Sequence, residues 1–164
     1  MGLQGLLMQP LCFIKKLMQK TLIVGIGNLL CRDEGIGVHV VEEMKKLQLP
    51  AHVELLDIGT SAMDLFSYLE GVGKLIIIDA MKAGGMPGTI YQCTPEDLIP
   101  KGEEPISLHD IGVVETLTMA KKMGMEIETV IFGVEPKILE WGMELSEEVK
   151  ERIPSIIEAV LKES

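Results

Sequence analysis

Aromatic residues make up only 4 % of this 164-residue chain, although 47 % of its residues are apolar. A core must therefore be built from Leu, Ile, Val and Met, which is typical of a layered α/β domain and argues against a disordered chain. Positive charge is also scarce. The net charge of −10 at pH 7 repels the phosphate backbone, so we expect no unaided nucleic-acid binding.

Cysteine is rare and its spacing is uninformative for metal or disulfide chemistry. The three cysteines, Cys12, Cys31 and Cys93, lie far apart and include no C-x-x-C pair. Neither a disulfide framework nor a cysteine zinc knuckle is expected, and a reducing cytoplasm fits this usage. The sequence also lacks G-x-S-x-G, which excludes the nucleophile elbow of the α/β hydrolases.

Long apolar runs are absent from residues 1–19, although this segment is locally apolar. Gln9 and Pro10 interrupt it, and the remaining runs are too short to span a bilayer. Its lysines follow the apolar part instead of preceding it, so a signal peptide is not indicated either. We expect no stable membrane insertion. Residues 1–19 are predicted to be a loosely ordered extension or a translation start placed too early.

A glycine-rich loop, residues 25–37, follows the first apolar run and precedes a helical pattern. It lacks the third glycine of the dinucleotide fingerprint G-x-G-x-x-G, because that position is Leu30. A nucleotide site is therefore not predicted. The loop instead carries charged residues, above all Glu34, to the carboxyl end of a strand, where open α/β sheets place their sites.

Strands and helices alternate along the rest of the chain. Further strands are predicted at residues 53–57, 74–80, 89–93 and 128–134, with helices in the 38–44, 63–71, 107–124 and 146–161 segments. This order predicts one domain over residues 20–164, a three-layer αβα sandwich with a mostly parallel, about five-stranded central sheet. Met63, Leu65, Phe66 and Leu69 are expected in the core, and Pro154 is expected to kink the last helix.

Three ionisable residues occupy equivalent places in this predicted topology. Glu34 follows the first strand, Asp79 ends the third, and His109 begins a helix. Two carboxylates and an imidazole suit a divalent ion such as Ni, Zn or Fe and leave a coordination position open. Each also has a purely structural interpretation, as a residue at a helix start or a strand-end turn. Asp57, at the end of the second strand, is equally ambiguous.

Five motifs together resemble the [NiFe]-hydrogenase maturation endopeptidases, in the family's order from about residue 20 to the end. They are residues 25–37, Asp57-Ile58-Gly59-Thr60, residues 75–80, Ser107-Leu108-His109-Asp110-Ile111-Gly112, and Phe132-Gly133-Val134-Glu135-Pro136 with Trp141-Gly142 and Leu145-Ser146. The set is far more specific than any single glycine-rich loop.

The resemblance implies an endopeptidase that removes the C-terminal peptide of a hydrogenase large-subunit precursor after nickel insertion. It implies that Glu34, Asp79 and His109 bind this nickel, which belongs to the substrate, so that no tightly bound metal of the protein's own is expected. It assigns Asp57 a role in cleavage or its specificity. The loop scaffold would comprise Gly25, Gly27, Asn28, Gly35, Gly37, Gly59 and Thr60.

Two other functions fit the same residues. One is a metallopeptidase that holds its own zinc, and the other is a nickel chaperone or docking module that binds the large subunit without cutting it. Cys31 lies where the family varies, and its thiol could itself contact a metal.

Overall fold

The computed structural model describes residues 19–98 and 108–164, and of residues 108–111 it describes the backbone alone. The predicted extension, apart from its last residue, therefore lies outside the described residues. In the part of the chain that is described, no helix is both long enough and apolar enough to cross a membrane.

A five-stranded sheet forms the centre of the fold, in the order β2-β1-β3-β5-β4. Its strands are β1 (Lys20–Gly25), β2 (Val53–Asp57), β3 (Val72–Ala80), β4 (Ile90–Cys93) and β5 (Glu128–Val134). All neighbours pair in parallel except β4, which runs antiparallel to β5 at the edge. Residues 75–78 of β3 are apolar and fully buried, because this central strand is covered on both faces.

Helices cover both faces of the sheet. They are α1 (Ile36–Met44), α2 (Leu108–Lys122), α3 (Glu147–Lys150) and α4 (Ile153–Glu163), with 3-10 helices at Arg32–Gly35, Ala62–Tyr68 and Pro95–Leu98. The apolar residues of α1, α3 and α4 pack on one face. Those of α2 and of the 3-10 helix Ala62–Tyr68 pack on the other. The predicted three-layer αβα fold with a mostly parallel sheet is confirmed.

The segment after β2 differs from the prediction. It forms a 3-10 helix, Ala62–Tyr68, instead of an α-helix. With three residues per turn, Ala62 and Leu65 share the buried face and Met63 falls outside it. Met63 is 65 % exposed, so its assignment to the core was wrong, whereas Leu65 and Leu69 are buried as predicted.

The last helical segment is also divided. In place of one kinked helix, the chain forms α3 and α4, with Pro154 in the first turn of α4. Proline is tolerated at that place because the first turn of a helix needs no N–H donor from it. The proline therefore marks the start of a new helix.

Candidate active site

Close backbone packing seats the glycine-rich loop at the carboxyl edge of the sheet. A Cβ atom added to Gly37 would overlap the carbonyl oxygen of Ile78 in β3, and one added to Gly25 would overlap that of Gly37. Gly27 has a φ of +144°, and a Cβ atom added to it would overlap the carbonyl oxygen of Glu34. These glycines bring the start of α1 and the 3-10 helix Arg32–Gly35 onto the end of β3.

Asp33 joins this loop to the segment after β5. Its side chain is fully buried, and its carboxylate accepts four hydrogen bonds. The donors are the backbone N–H groups of Lys137 (2.9 Å), Ile138 (2.8 Å) and Ser146 (2.7 Å) and the Ser146 hydroxyl (2.8 Å). Ser146 precedes α3, but its hydroxyl makes no capping bond there, because it donates to Asp33.

The environment of Asp33 keeps it ionised. Burial alone would raise the pKa of its carboxyl, but the hydrogen bonds from Ser146, Ile138 and Lys137 outweigh burial and lower it. A buried carboxylate with four donors is a structural anchor. It fixes the position of the residue that follows it, Glu34.

Glu34 is partly buried and lies beside a thiol. Partial burial raises the pKa of the Cys31 thiol, and a hydrogen bond to the Glu34 carboxylate and the charge of that carboxylate raise it further. The Asn28 side-chain amide lies 3.3 Å from the Cys31 sulfur, and its oxygen accepts the Leu30 N–H at 2.9 Å. Asn28 thus orders the turn that leads to Glu34.

Asp79 is buried, with 4 % of its surface exposed, near the end of β3. Its Oδ1 accepts the N–H of Ala80 at 2.8 Å. By strand alternation it shares the face of Leu75 and Ile77, which pack with residues of α2. The 3-10 helix that carries Glu34 packs on this same strand. Glu34 and Asp79 therefore belong to one edge of the sheet.

His109 lies in the first turn of α2, and its side chain lies outside the described residues. Within the side chains that are described, no three His, Cys, Asp or Glu residues form a group able to hold a metal ion. The ligand set of Glu34, Asp79 and His109 stays a prediction.

Asp57 lines a separate pocket of about 240 Å³ at the same edge. The pocket is lined by Gly27, Asn28, Leu29, Val38, Asp57, Gly59 and Thr60. The Asp57 Oδ1 accepts the Gly59 N–H, and the Gly59 carbonyl accepts the Gly27 N–H, both at 2.8 Å. The strand β1 lies between β2 and β3. The Cα atoms of Asp57 and Asp79 are therefore roughly 10 Å apart across the sheet.

Sequence reasoning assigned no role to a third buried carboxylate, that of Glu135. Glu135, directly after β5, accepts hydrogen bonds from Ala83 N (2.8 Å), Gly85 N (3.3 Å) and the Tyr91 hydroxyl (2.9 Å). Burial opposes ionisation, but these bonds lower the pKa of the Glu135 carboxyl. Glu135 thereby ties the loop after Asp79 to the sheet. The only sequence signal was its place at a strand end, which does not reveal the partners.

The fold and this acidic edge define an α/β protein whose site lies at the carboxyl ends of its strands. The family model described as hydrogenase maturation protease matches residues 38–163. The hydrogenase expression/formation protein HupD of Bradyrhizobium diazoefficiens is 38 % identical over 143 residues, which cover 84 % of this chain and 74 % of that protein. The hydrogenase 2 maturation protease of Escherichia coli is 33 % identical over 145 residues, covering 87 % and 88 %.

Solved structures agree with these relatives. The hydrogenase maturating endopeptidase HybD from Escherichia coli superposes with a TM-score of 0.79 at 32 % identity, covering 88 % of this chain and 91 % of that one. The chain belongs to the hydrogenase maturation protease family, and it is an endopeptidase. The resemblance and the enzyme class predicted from the sequence are confirmed.

Proposed function

We propose that this endopeptidase removes the C-terminal peptide of a [NiFe]-hydrogenase large-subunit precursor after nickel has been inserted. In this proposal the nickel is part of the substrate, and Glu34, Asp79 and His109 bind it. The observation that carries the proposal is the packing of the Glu34 helix on β3, at the end that holds the buried Asp79. We also propose that the reaction takes place in the cytoplasm, where Cys31 and Cys93, which form no disulfide, would stay reduced.

Electrostatics explain how nickel could act as the recognition feature. Two carboxylates at one edge of the sheet repel each other, and a divalent cation between them offsets both charges. A neutral histidine nitrogen adds a ligand of the type that nickel accepts. A precursor without nickel would leave this repulsion in place and gain little affinity, so cleavage would wait for metal insertion.

Asp57 is the proposed residue for the peptide itself. One of its carboxylate oxygens accepts the Gly59 N–H, and the residue is otherwise exposed to the pocket between the first two loops. A carboxylate so placed can accept a hydrogen bond from a water molecule or from the peptide N–H at the cleavage point. The pocket adjoins the loop of Glu34, which is the arrangement that coupled metal and peptide recognition requires.

Substitutions of the three proposed ligands, one at a time, test the site. Glu34→Gln, Asp79→Asn and His109→Ala are each expected to slow release of the C-terminal peptide from nickel-loaded precursor at least about 100-fold, because the first two remove a ligand's negative charge and the third removes a ligand. The mass of the precursor after incubation measures this. The exposed Glu70 supplies a matched control, since Glu70→Gln changes a carboxylate that makes no described hydrogen bond or ion pair.

Normal processing by all three variants would show that the site lies elsewhere. Metal analysis of the purified protein distinguishes the proposed function from that of a metallopeptidase that holds its own zinc. A stoichiometric, tightly held zinc would contradict a metal supplied by the substrate.

A further inference from the structure

Arg32 has a backbone conformation that L residues other than glycine rarely adopt. Its φ is +51°, the one positive value among the described non-glycine residues, and this left-handed region is unfavourable for a side chain with a Cβ atom. Two hydrogen bonds of 2.9 Å hold it there: Arg32 N–H donates to the Gly142 carbonyl, and Gly142 N–H donates to the Leu30 carbonyl. The surrounding loops therefore impose the conformation.

These bonds also place the side chain. A Cβ atom added to Gly142 would lie 3.0 Å from Cγ and 3.2 Å from Cδ of Arg32. The aliphatic stem of Arg32 thus lies directly over the backbone of Gly142, between Trp141 and Met143. Because Gly142 has no side chain, nothing at that position displaces the Arg32 stem.

The Arg32 guanidinium lacks a partner within the described residues. Its Nε is buried and has no hydrogen-bond acceptor, and no described carboxylate forms an ion pair with it. This is notable in a chain with 25 acidic and 15 basic side chains. A buried donor without an acceptor is unfavourable in a folded protein and calls for an explanation.

Residues with exposed apolar side chains lie beside these backbone hydrogen bonds. The exposed fractions are 51 % for Leu30, 81 % for Trp141 and 66 % for Met143. The Leu30 carbonyl accepts the Gly142 N–H, and Trp141 and Met143 flank Gly142 in the sequence. We call Leu30, Arg32, Trp141, Gly142 and Met143 the Arg32 patch. Tryptophan and arginine are the side chains most enriched at binding hot spots, and apolar neighbours that exclude water strengthen an ion pair.

We propose that the Arg32 patch binds the precursor segment next to the cleaved bond, and that Arg32 pairs with a carboxylate of that segment. The inference rests on the proposed function. Arg32 lies two residues from Glu34 in the same 3-10 helix, so one short segment carries both the patch and the proposed nickel ligand. In a protein of net charge −10, an unpaired guanidinium favours one carboxylate at one position, which fixes the register of the bound peptide.

Substitution of Arg32 by methionine tests this pairing, because Arg32→Met keeps an unbranched stem over Gly142 and removes the charge. The Kd and KM for nickel-loaded precursor should rise about tenfold or more, with kcat changed less than about twofold. Calorimetry measures the Kd without requiring cleavage. Arg32→Lys should recover only part of the affinity, since lysine cannot form the bidentate pair.

Changes in the precursor identify the source of the carboxylate. In one set, Asp and Glu near the cleavage point become Asn and Gln one at a time. In another precursor, a Gly-Ser extension moves the terminal carboxylate. The precursor variant that lacks the carboxylate paired with Arg32 should bind wild-type protein and Arg32→Met with the same Kd. The effects of that precursor change and of Arg32→Met on the binding free energy would then not be additive. Arg152→Met, which removes the chain's other arginine, should leave the Kd unchanged.

The proposal would be overturned if Arg32→Met raised the Kd by the same factor for every precursor variant. It would also be overturned if Arg32→Met raised the Kd for none of them. Thermal unfolding shows whether the variant is folded. Failure of the proposed function gives a different result: wild-type protein would leave the precursor uncut. The Kd values of wild type and Arg32→Met would still test the pairing of Arg32. If wild-type protein bound none of these precursors, both proposals would be wrong.

Discussion

Asp33 and Glu34 are adjacent in the sequence, yet their carboxylates have different environments. Asp33 is fully buried and accepts four hydrogen bonds from the segment after β5. Glu34 is only partly buried, and its carboxylate lies beside the Cys31 thiol. Neighbouring residues of a 3-10 helix project about 120° apart, so the same turn can anchor one acid in the protein and present the next at the edge of the sheet.

Replacement of Asp33 by asparagine should destabilise the fold. An amide offers one acceptor oxygen and places an NH₂ group among N–H donors, so we expect a loss of about 2–4 kcal/mol in the free energy of unfolding. Urea denaturation at pH 7 measures it. Asp64→Asn, at an exposed acid, is the matched control and should change stability by less than about 0.5 kcal/mol. Equal stability of Asp33→Asn and wild type would contradict the anchoring role.

The free energies of unfolding of wild type and Asp33→Asn should differ less in acid than at neutral pH. The pKa of Asp33 is lowered in the folded state from its ordinary value of 3.8. Its stabilising effect is therefore fully present above the unfolded-state pKa and is lost as the pH falls through the folded-state pKa. We expect the stability difference between wild type and Asp33→Asn to be constant at neutral pH and to shrink below about pH 4. A difference that grew in acid would contradict the lowered pKa.

At the scale of elements, short helices were harder to predict than strands. The apolar run of β3 indicated a strand covered on both faces, and this required no knowledge of its neighbours. The seven residues of Ala62–Tyr68 span about two turns of either helix type, and over so short a length the 3.0 and 3.6 periods place almost the same residues inward. Met63 lies well away from Leu65 with either period, by about 160° in an α-helix and about 120° in a 3-10 helix, so it did not belong to the same face as Leu65.

The glycines of the first loop make a second prediction at this scale. Gly27→Ala should cost about 2–4 kcal/mol, because alanine is strained at φ +144° and its Cβ would overlap the Glu34 carbonyl. Gly124 is a matched control with φ +83° and open space around it, so Gly124→Ala should cost only about 1 kcal/mol. Chemical denaturation of both variants measures the difference. If the two costs were equal, Gly27 would not be fixing the position of Glu34.

At the scale of the whole molecule, sequence order predicted the edge of the site but not its connections. Parallel strands joined by right-handed crossovers bring their carboxyl ends together, so Asp57, Asp79 and the loop of Glu34 could be assigned to one edge in advance. The bonds between Asp33 and Ser146 join residues more than a hundred positions apart, and no local pattern encodes such a pair. The unpaired Arg32 was equally invisible, because the absence of a partner is a property of the folded chain.

The whole molecule is proposed to act only on a precursor that already contains nickel. The mass of the large subunit, measured after incubation of this protein with nickel-loaded, zinc-loaded and metal-free precursor, tests this claim most directly. We expect the C-terminal peptide to be released from the nickel-loaded form alone, because only that form brings the cation that offsets Glu34 and Asp79. Cleavage of the metal-free precursor at the same rate would contradict it.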